Sequence, residues 1–140
     1  MIKKFLAVSC TAWVLASTGA VNAETVLNVS TYLPSSHPLV STGLTKWAKQ
    51  VEEATKGEVK LRILPTSLGK PEAHFDMARD GIADITMGIP GYTPGRFKLI
   101  EVAALPNMAN TGTGLSVGLW RTFDASPAMQ EEFEGVKPLT

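Results

Sequence analysis

The chain has 140 residues, and its 13 basic and 13 acidic side chains give a formal net charge of zero at pH 7. The basic residues are scattered singly, whereas binding to a phosphate backbone requires a clustered positive face, so nucleic acid is not an expected partner. With 1 cysteine, Cys10, the chain has neither the pattern of a disulfide scaffold nor that of a cysteine metal site.

The first 23 residues have the pattern of a secretory signal peptide. Lys3 and Lys4 give a positive start, and residues 5–16 form an apolar run. Val21-Asn22-Ala23 then supplies the small residues that an exporting peptidase needs. We therefore predict cleavage after Ala23 and a periplasmic location.

Two alternatives to cleavage stay open. A retained membrane anchor is one, although the apolar run is shorter than the roughly 20 residues that span a bilayer. A lipid attached to Cys10 is the other, although almost no apolar segment precedes that residue. Cleavage leaves residues 24–140 as the mature chain, with no cysteine, 11 basic against 13 acidic residues, and enough length for one domain.

The mature chain begins with a predicted strand at residues 26–32, where β-branched and aromatic residues alternate, and Pro34 ends it. Ser36 offers a hydroxyl to cap the next helix, whose first turn tolerates Pro38. This helix carries a single apolar stripe and ends at Gly57, which suits a left-handed C-cap. The stripe consists of Val40, Leu44, Trp47, Val51 and Ala54.

A second strand is predicted at residues 59–64, and a second helix runs from Pro71 to a glycine cap at Gly81. Residues 82–88 form a short, mostly apolar third strand, typical of a central strand covered on both faces. Because a strand, a crossover helix and a second parallel strand form a right-handed unit, we predict an α/β fold. Its β-α-β-α-β core has sheet order 2-1-3, and the loops 31–38 and 66–71 lie at the same end as the loop after the third strand.

The last third of the chain has weaker signals. Residues 100–105 are apolar and expected to be buried against the sheet, and residues 110–118 form a Gly- and Thr-rich connection. A helical face follows, predicted to pack in the core, and it consists of Leu115, Leu119, Trp120 and Phe123. Ser126-Pro127 begins a short acidic helix that Gly135 ends.

Small molecules bind outside the carboxyl ends of the strands in open α/β sheets, so the predicted rim holds the candidate ligand-binding residues. Tyr92 and Arg96 flank a Pro-Gly turn there; alternatively, Arg96 pairs with Glu101 or lies in solvent while Tyr92 packs beside the turn. Thr31 and Tyr32 end the first strand and face the same cleft, or else they cover the top of the core.

Lys70 precedes the second helix, where its charge and the helix N-terminus both favour an anion, although it also fits an ordinary surface lysine. His37 either caps the first helix or lines the cleft mouth. His74 and Asp76 are two residues apart on a helix, so their side chains diverge and no metal site is expected. We expect no cofactor, because no cofactor motif is present, and no Ser/His/Asp set falls on loops that should meet.

Five successive segments of the sequence carry a family resemblance: VLNVSTYLPSSHPL, GEVKLRILPTSLGKP, FDMARDGIADITMG, GYTPGRF and IEVAALP. Together they resemble the amino-terminal part of the extracytoplasmic solute receptors of tripartite ATP-independent periplasmic (TRAP) transporters, the C4-dicarboxylate-receptor-like family. Receptors with a GYTPGRF-type loop are closer than those for sialic acid. The sequence departs from the family at Asn107, where phenylalanine more often follows the proline.

The resemblance implies a periplasmic binding protein-like (type II) lobe of a two-lobed receptor. Such a receptor closes on a small organic acid, such as a dicarboxylate, and delivers it to TRAP membrane permease subunits for ion-gradient-driven uptake. It also implies that residues 24–140 are a truncated, N-terminal part of lobe one, that an arginine of lobe two usually anchors the carboxylate, and that the fragment binds poorly alone. A ligand-sensing or adaptor module on the same fold is the alternative, and an exported enzyme is a weaker one.

Overall fold

The computed structural model describes residues 24–139, so the predicted signal peptide and its cleavage after Ala23 lie outside the described residues. Three parallel strands form one sheet: β1 (Thr25–Thr31), β2 (Val59–Ile63) and β3 (Ile85–Met87). Their order is β2-β1-β3, which confirms the predicted order. Val29 of the central strand lies opposite Ile63 on one side and Ile85 on the other.

The last three residues of β1 are buried because they have a strand on one or both sides and helices over the sheet. They are Val29, Ser30 and Thr31, with exposed fractions of 1%, 0% and 3%. Two of these three are polar, and buried hydroxyls need hydrogen-bond partners. The carboxyl end of β1 is therefore built around polar contacts.

The first crossover begins with a π-helical segment (Leu39–Leu44) that continues into α1 (Thr45–Ala54). The predicted cap at Ser36 is wrong, and His37 takes that role: its Nδ1 accepts the Leu39 N–H at 3.2 Å, and its carbonyl accepts the Ser41 N–H at 2.9 Å. The reason is that Pro38 has no N–H, so the first donor that needs an acceptor belongs to Leu39. α1 then packs on β2.

The predicted glycine cap of α1 is confirmed. Gly57 has φ +83° and its N–H donates to the Glu52 carbonyl at 2.8 Å, in the pattern of a helix that ends in the left-handed region. Lys56 before it also has a positive φ of 53°.

The second crossover consists of a 3-10 turn (Pro71–Ala73) followed by α2 (His74–Arg79), and Gly81 ends it with φ +70°. β3 is shorter than the predicted 82–88, because the N–H groups of Ile82 and Ala83 donate to the Met77 carbonyl and complete the helix end. β3 is also an edge strand of the described sheet, not the central strand that its composition predicted. Composition cannot distinguish an edge covered by α2 from a central position.

The elements after residue 97 are a 3-10 helix (Ile100–Ala104), α3 (Gly112–Ala125) and α4 (Pro127–Glu131). They close around an aromatic core instead of the sheet, so the prediction that residues 100–105 are buried against the sheet is wrong: Leu105 is 56% exposed. That core consists of Phe97, Ile100 and Met129, with Phe75, Leu119, Phe123 and Phe133 packed around them. None of the helices in residues 24–139 is both long enough and apolar enough to cross a bilayer.

Candidate ligand-binding rim

The loops that follow the three strands meet at one end of the sheet, which we call the rim (residues 31–38, 64–73 and 88–96). The ring of Tyr32, after β1, meets Tyr92, after β3, edge-on with centroids 5.5 Å apart. The loop after β2 joins them, because the Leu68 N–H donates to the Ser30 hydroxyl at 3.4 Å. The prediction that these loops lie together is thus confirmed.

Tyr32 and Tyr92 form an aromatic pair with different degrees of exposure. Tyr32 is half-buried, whereas Tyr92 is 39% exposed on the 3-10 turn Pro90–Tyr92. Burial raises the pKa of Tyr32 above the ordinary tyrosine value, and the neighbouring Tyr92 raises it further. The pair therefore offers an aromatic surface and two phenol hydroxyl groups to a ligand at the rim.

Thr31 lies behind this surface. It is 3% exposed, and its hydroxyl accepts the Leu33 N–H at 3.0 Å while it lies 3.8 Å from the sulfur of Met87. This placement fits the alternative in which Thr31 covers the core and holds the loop after β1. Direct ligand contact by Thr31 stays a prediction.

Arg96 has other partners than the predicted Glu101. Its guanidinium lies 4.3 Å above the centre of the Phe75 ring, and Nη2 lies 3.6 Å from Oδ1 of Asp76. The same carboxylate oxygen binds Arg79 at 2.8 Å. Arg96 therefore links the loop after β3 to α2, and a ligand must compete with Asp76 for it.

Lys70 is exposed at the start of the turn Pro71–Ala73. Its charge is available at the rim, but the turn and the six-residue α2 are too short to provide the helix-terminus contribution expected from the sequence. Its backbone has a defined role, since the Lys70 carbonyl accepts hydrogen bonds from the Ala73 N–H and from the imidazole of His74, both at 3.0 Å.

His74, for which the sequence predicted no role at the rim, is completely buried beneath it. Its Nε2 lies 3.4 Å from the Ser30 hydroxyl and 3.5 Å from the Ser67 hydroxyl, and its ring meets Tyr32 edge-on at 5.8 Å. The sequence signal for its burial is that His74 lies three residues before Met77, on the same helix face, and both side chains are buried. A polar side chain on a buried helix face needs hydrogen-bond partners.

A serine and a histidine do meet beneath the rim, although they lie on β1 and α2 and not on loops. The arrangement is nevertheless unlike a catalytic triad, because the third partner of His74 is the Lys70 carbonyl and not a carboxylate. Ser30 and His74 both have an exposed fraction of 0%, so neither reaches a substrate. The contacts are therefore structural.

A separate apolar cavity of about 420 Å³ lies in the C-terminal part of the chain, between the 3-10 helix Ile100–Ala104, α3 and α4. Its walls include Leu99, Val102, Met108 and Leu115, and no residue of the rim lines it. The two features are therefore distinct sites of the fold.

Comparison with known proteins identifies the family. The sequence profile of bacterial extracellular solute-binding protein, family 7 (DctP), matches residues 29–130. A curated relative, the outer membrane transporter protein TsaT of Comamonas testosteroni, is 31% identical over 134 residues, which cover 93% of this chain and 39% of the relative.

Two solved structures are also similar. A TRAP periplasmic solute-binding protein from Bordetella bronchiseptica with bound (R)- and (S)-mandelate is 37% identical, with a TM-score of 0.75 over 82% of this chain and 36% of that one. A marine metagenome TRAP solute-binding protein specific for aromatic acid ligands, in complex with 3-hydroxybenzoate, is 30% identical, with a TM-score of 0.78 over 84% of this chain and 37% of that one.

The chain therefore spans between 36% and 39% of the length of these relatives. Within that span it shares their strand order, and the family profile covers β2, β3, α1, α2, the rim and the last three residues of β1. The family consists of receptors that bind solutes, in keeping with a role other than catalysis. From the sequence match and the shared fold, the chain belongs to the bacterial extracellular solute-binding protein family 7.

Proposed function

We propose that this chain forms one wall of a periplasmic receptor that captures a small aromatic carboxylic acid for uptake through a TRAP transporter. The observation that carries the proposal is the aromatic surface of Tyr32 and Tyr92 at the rim, where the loops after β1 and β3 converge. The related receptors with bound mandelate and 3-hydroxybenzoate support the choice of an aromatic acid over an aliphatic dicarboxylate.

The rim suits the two ends of such a ligand differently. Tyrosine rings contact an aromatic ring edge-on or in an offset stack, and their hydroxyls hydrogen-bond a ligand hydroxyl. For the carboxylate, Lys70 supplies an exposed positive charge, whereas Arg96 is engaged by Asp76. Thr31 and Arg96 lie behind this surface and hold the loops after β1 and β3 in place. We expect the principal carboxylate anchor to be an arginine of a second lobe.

The remaining parts of the proposal follow from the family. Residues 24–140 act as the N-terminal part of lobe one, after export by a signal peptide at residues 1–23. Closure of the two lobes removes water from the ligand and lets the closed receptor deliver it to the membrane permease subunits. No chemical change of the ligand is involved.

Isothermal titration calorimetry of the complete polypeptide encoded by the gene tests this proposal. The ligands are benzoate, mandelate, 3-hydroxybenzoate and succinate. We expect the aromatic acids to bind and Tyr92→Ala to weaken them by about 0.5–1.5 kcal/mol, up to about tenfold in affinity. Trp120→Ala is the matched control, because Trp120 is similarly exposed, 42% against 39%, but lies on α3 outside the rim. Binding of succinate in preference to every aromatic acid would refute the ligand class.

A further inference from the structure

We infer that His74 is a positioning residue of the receptor: with its Nδ1–H held by the Lys70 carbonyl, it fixes the Tyr32 ring and so sets the affinity for aromatic acids. The inference rests on the proposed function, since it concerns the same rim. It assigns a role to a buried group that makes no contact with solvent. Three observations carry it.

The first observation is that His74 contacts β1, the loop after β2 and β3. Its Nε2 faces the Ser30 hydroxyl of β1 at 3.4 Å, and its Nδ1 lies 3.0 Å from the Lys70 carbonyl in the loop after β2. The hydroxyl of Thr86 in β3 donates to the His74 carbonyl at 2.8 Å. A shift of His74 therefore disturbs two of the strands and the loop after β2 at once.

The second observation concerns where the proton lies on the imidazole. A carbonyl oxygen only accepts, so Nδ1 must carry the proton that bonds to Lys70, and in the neutral ring Nε2 is then an acceptor. The Ser67 hydroxyl donates to the Gly69 carbonyl at 2.6 Å, which leaves Ser30 as the donor to Nε2. Both ring nitrogens are satisfied in this one arrangement, so it fixes the orientation of the ring.

The third observation is that Tyr32 lies between two aromatic neighbours. The His74 ring meets it at an interplanar angle of 82°, and the Tyr92 ring meets it at 79°. The buried neighbour is fixed by hydrogen bonds, whereas Tyr92 is on the exposed turn. Of these two neighbours, His74 is therefore the fixed one. It holds the Tyr32 ring in place before a ligand arrives, which lowers the entropy lost on binding.

His74→Gln tests this role, because glutamine keeps a donor and an acceptor but removes the ring that contacts Tyr32. We expect His74→Gln to weaken binding of 3-hydroxybenzoate about tenfold by loss of preorganisation. The same change in a Tyr32→Ala background should have almost no further effect, since the role acts through Tyr32. Additive losses in this double-mutant cycle would overturn the inference.

Nuclear magnetic resonance of the ligand-free protein gives a readout that is independent of binding. With ¹³C-labelled tyrosine, and the Tyr32 signal assigned by its loss in Tyr32→Phe, His74→Gln should increase the ring mobility of Tyr32. Trp120→Ala on α3, outside the rim, is the control, and it should leave the Tyr32 ring unchanged. An unchanged Tyr32 ring in His74→Gln would overturn the inference.

If His74→Gln does not fold, Ser30→Ala keeps the ring and removes the donor to Nε2. ¹⁵N spectra of the imidazole should show the Nδ1–H tautomer in the unmodified protein and a mixture of tautomers in Ser30→Ala. An Nε2–H tautomer in the unmodified protein would contradict the inference. Should the unmodified protein bind no aromatic acid, the proposed function fails, while the mobility of Tyr32 still decides the role of His74.

Discussion

Tyr32 differs from an ordinary surface tyrosine in two respects, since it is half-buried and has the hydroxyl of Tyr92 nearby. Both raise its pKa above 10.0, with burial as the larger cause. A raised pKa means that the folded protein holds the phenol proton more tightly than the unfolded chain does. Protonation and folding are therefore linked at this residue.

This linkage predicts a loss of stability at alkaline pH. The contribution of Tyr32 is complete below pH 10.0, the ordinary tyrosine value, and is lost as the pH rises through the raised pKa of the folded state. Urea denaturation at about pH 9 and about pH 11 should show a larger fall in the free energy of unfolding for the unmodified protein than for Tyr32→Phe. Equal falls would show that the environment of Tyr32 is the same in both states.

Arg96 is the residue at which two roles are in competition, ligand contact and attachment of its loop to α2. The guanidinium above the Phe75 ring favours attachment. We expect Arg96→Lys to lower the free energy of unfolding by about 0.5–1 kcal/mol, because the planar cation–π contact is lost. Chemical denaturation measures this, and Arg121→Lys on exposed α3 is the matched control. A variant with unchanged stability and weakened ligand affinity would instead assign Arg96 to the ligand.

At the scale of secondary structure, the glycine at a helix end is required by backbone conformation and not by space. Gly81 has φ +70° and no atom within 4 Å of the position that a Cβ would take. An added methyl group would therefore cause no steric clash, and its only cost would be backbone strain. Gly118, inside α3, has equally open surroundings but no positive φ. The two positions therefore separate the conformational effect from packing.

We predict opposite effects of alanine at these two positions. Gly81→Ala should destabilise the protein by about 1–2 kcal/mol, because the left-handed region is unfavourable for a residue with a Cβ. Gly118→Ala should stabilise it by about 0.5–1 kcal/mol, because alanine restricts the unfolded chain and favours the helix. Thermal or urea denaturation of the two variants tests this, and a change of the same sign in both would contradict it.

The sequence predicted those features of the fold that depend on local rules. Strand, crossover helix and glycine cap recur twice, and this repetition was enough to predict the 2-1-3 sheet and the position of the rim. It predicted the ends of elements less well, because they depend on partners distant in the chain. The Asp84 carboxylate accepts the Asn28 N–H at 2.7 Å just before β3, and no local pattern predicts this contact across 56 residues.

The candidate site was predicted in part for the same reason. Tyr32 and Tyr92 follow strands, so topology alone brought them to the rim. His74 and the partners of Arg96 depend on which side chains meet in the core. The distance along the chain from Ser30 to His74 is 44 residues, and only the packed fold shows that their side chains are in contact.

At the scale of the whole molecule, the rim of residues 24–139 is a wall and not an enclosure. Ligand pockets of high affinity bury most of a small molecule, whereas the exposed Tyr92 and Lys70 would leave one side of the proposed acid in water. The chain also spans only 36% of the length of the mandelate-binding receptor. The rest of the contacts are therefore expected from a second lobe that closes over the rim.

This view predicts that the 140-residue chain, tested alone, binds aromatic acids at least about a hundredfold more weakly than the complete polypeptide that the gene encodes. The reason is that a carboxylate held by an arginine forms two charge-assisted hydrogen bonds, and this anchor together with desolvation on closure is missing from a single wall. Calorimetry of both proteins against 3-hydroxybenzoate and mandelate measures the ratio. Circular dichroism of the chain must first show folded α/β structure, so that weak binding is not a result of unfolding. Micromolar binding by the folded chain alone would show instead that the rim of lobe one is sufficient for recognition.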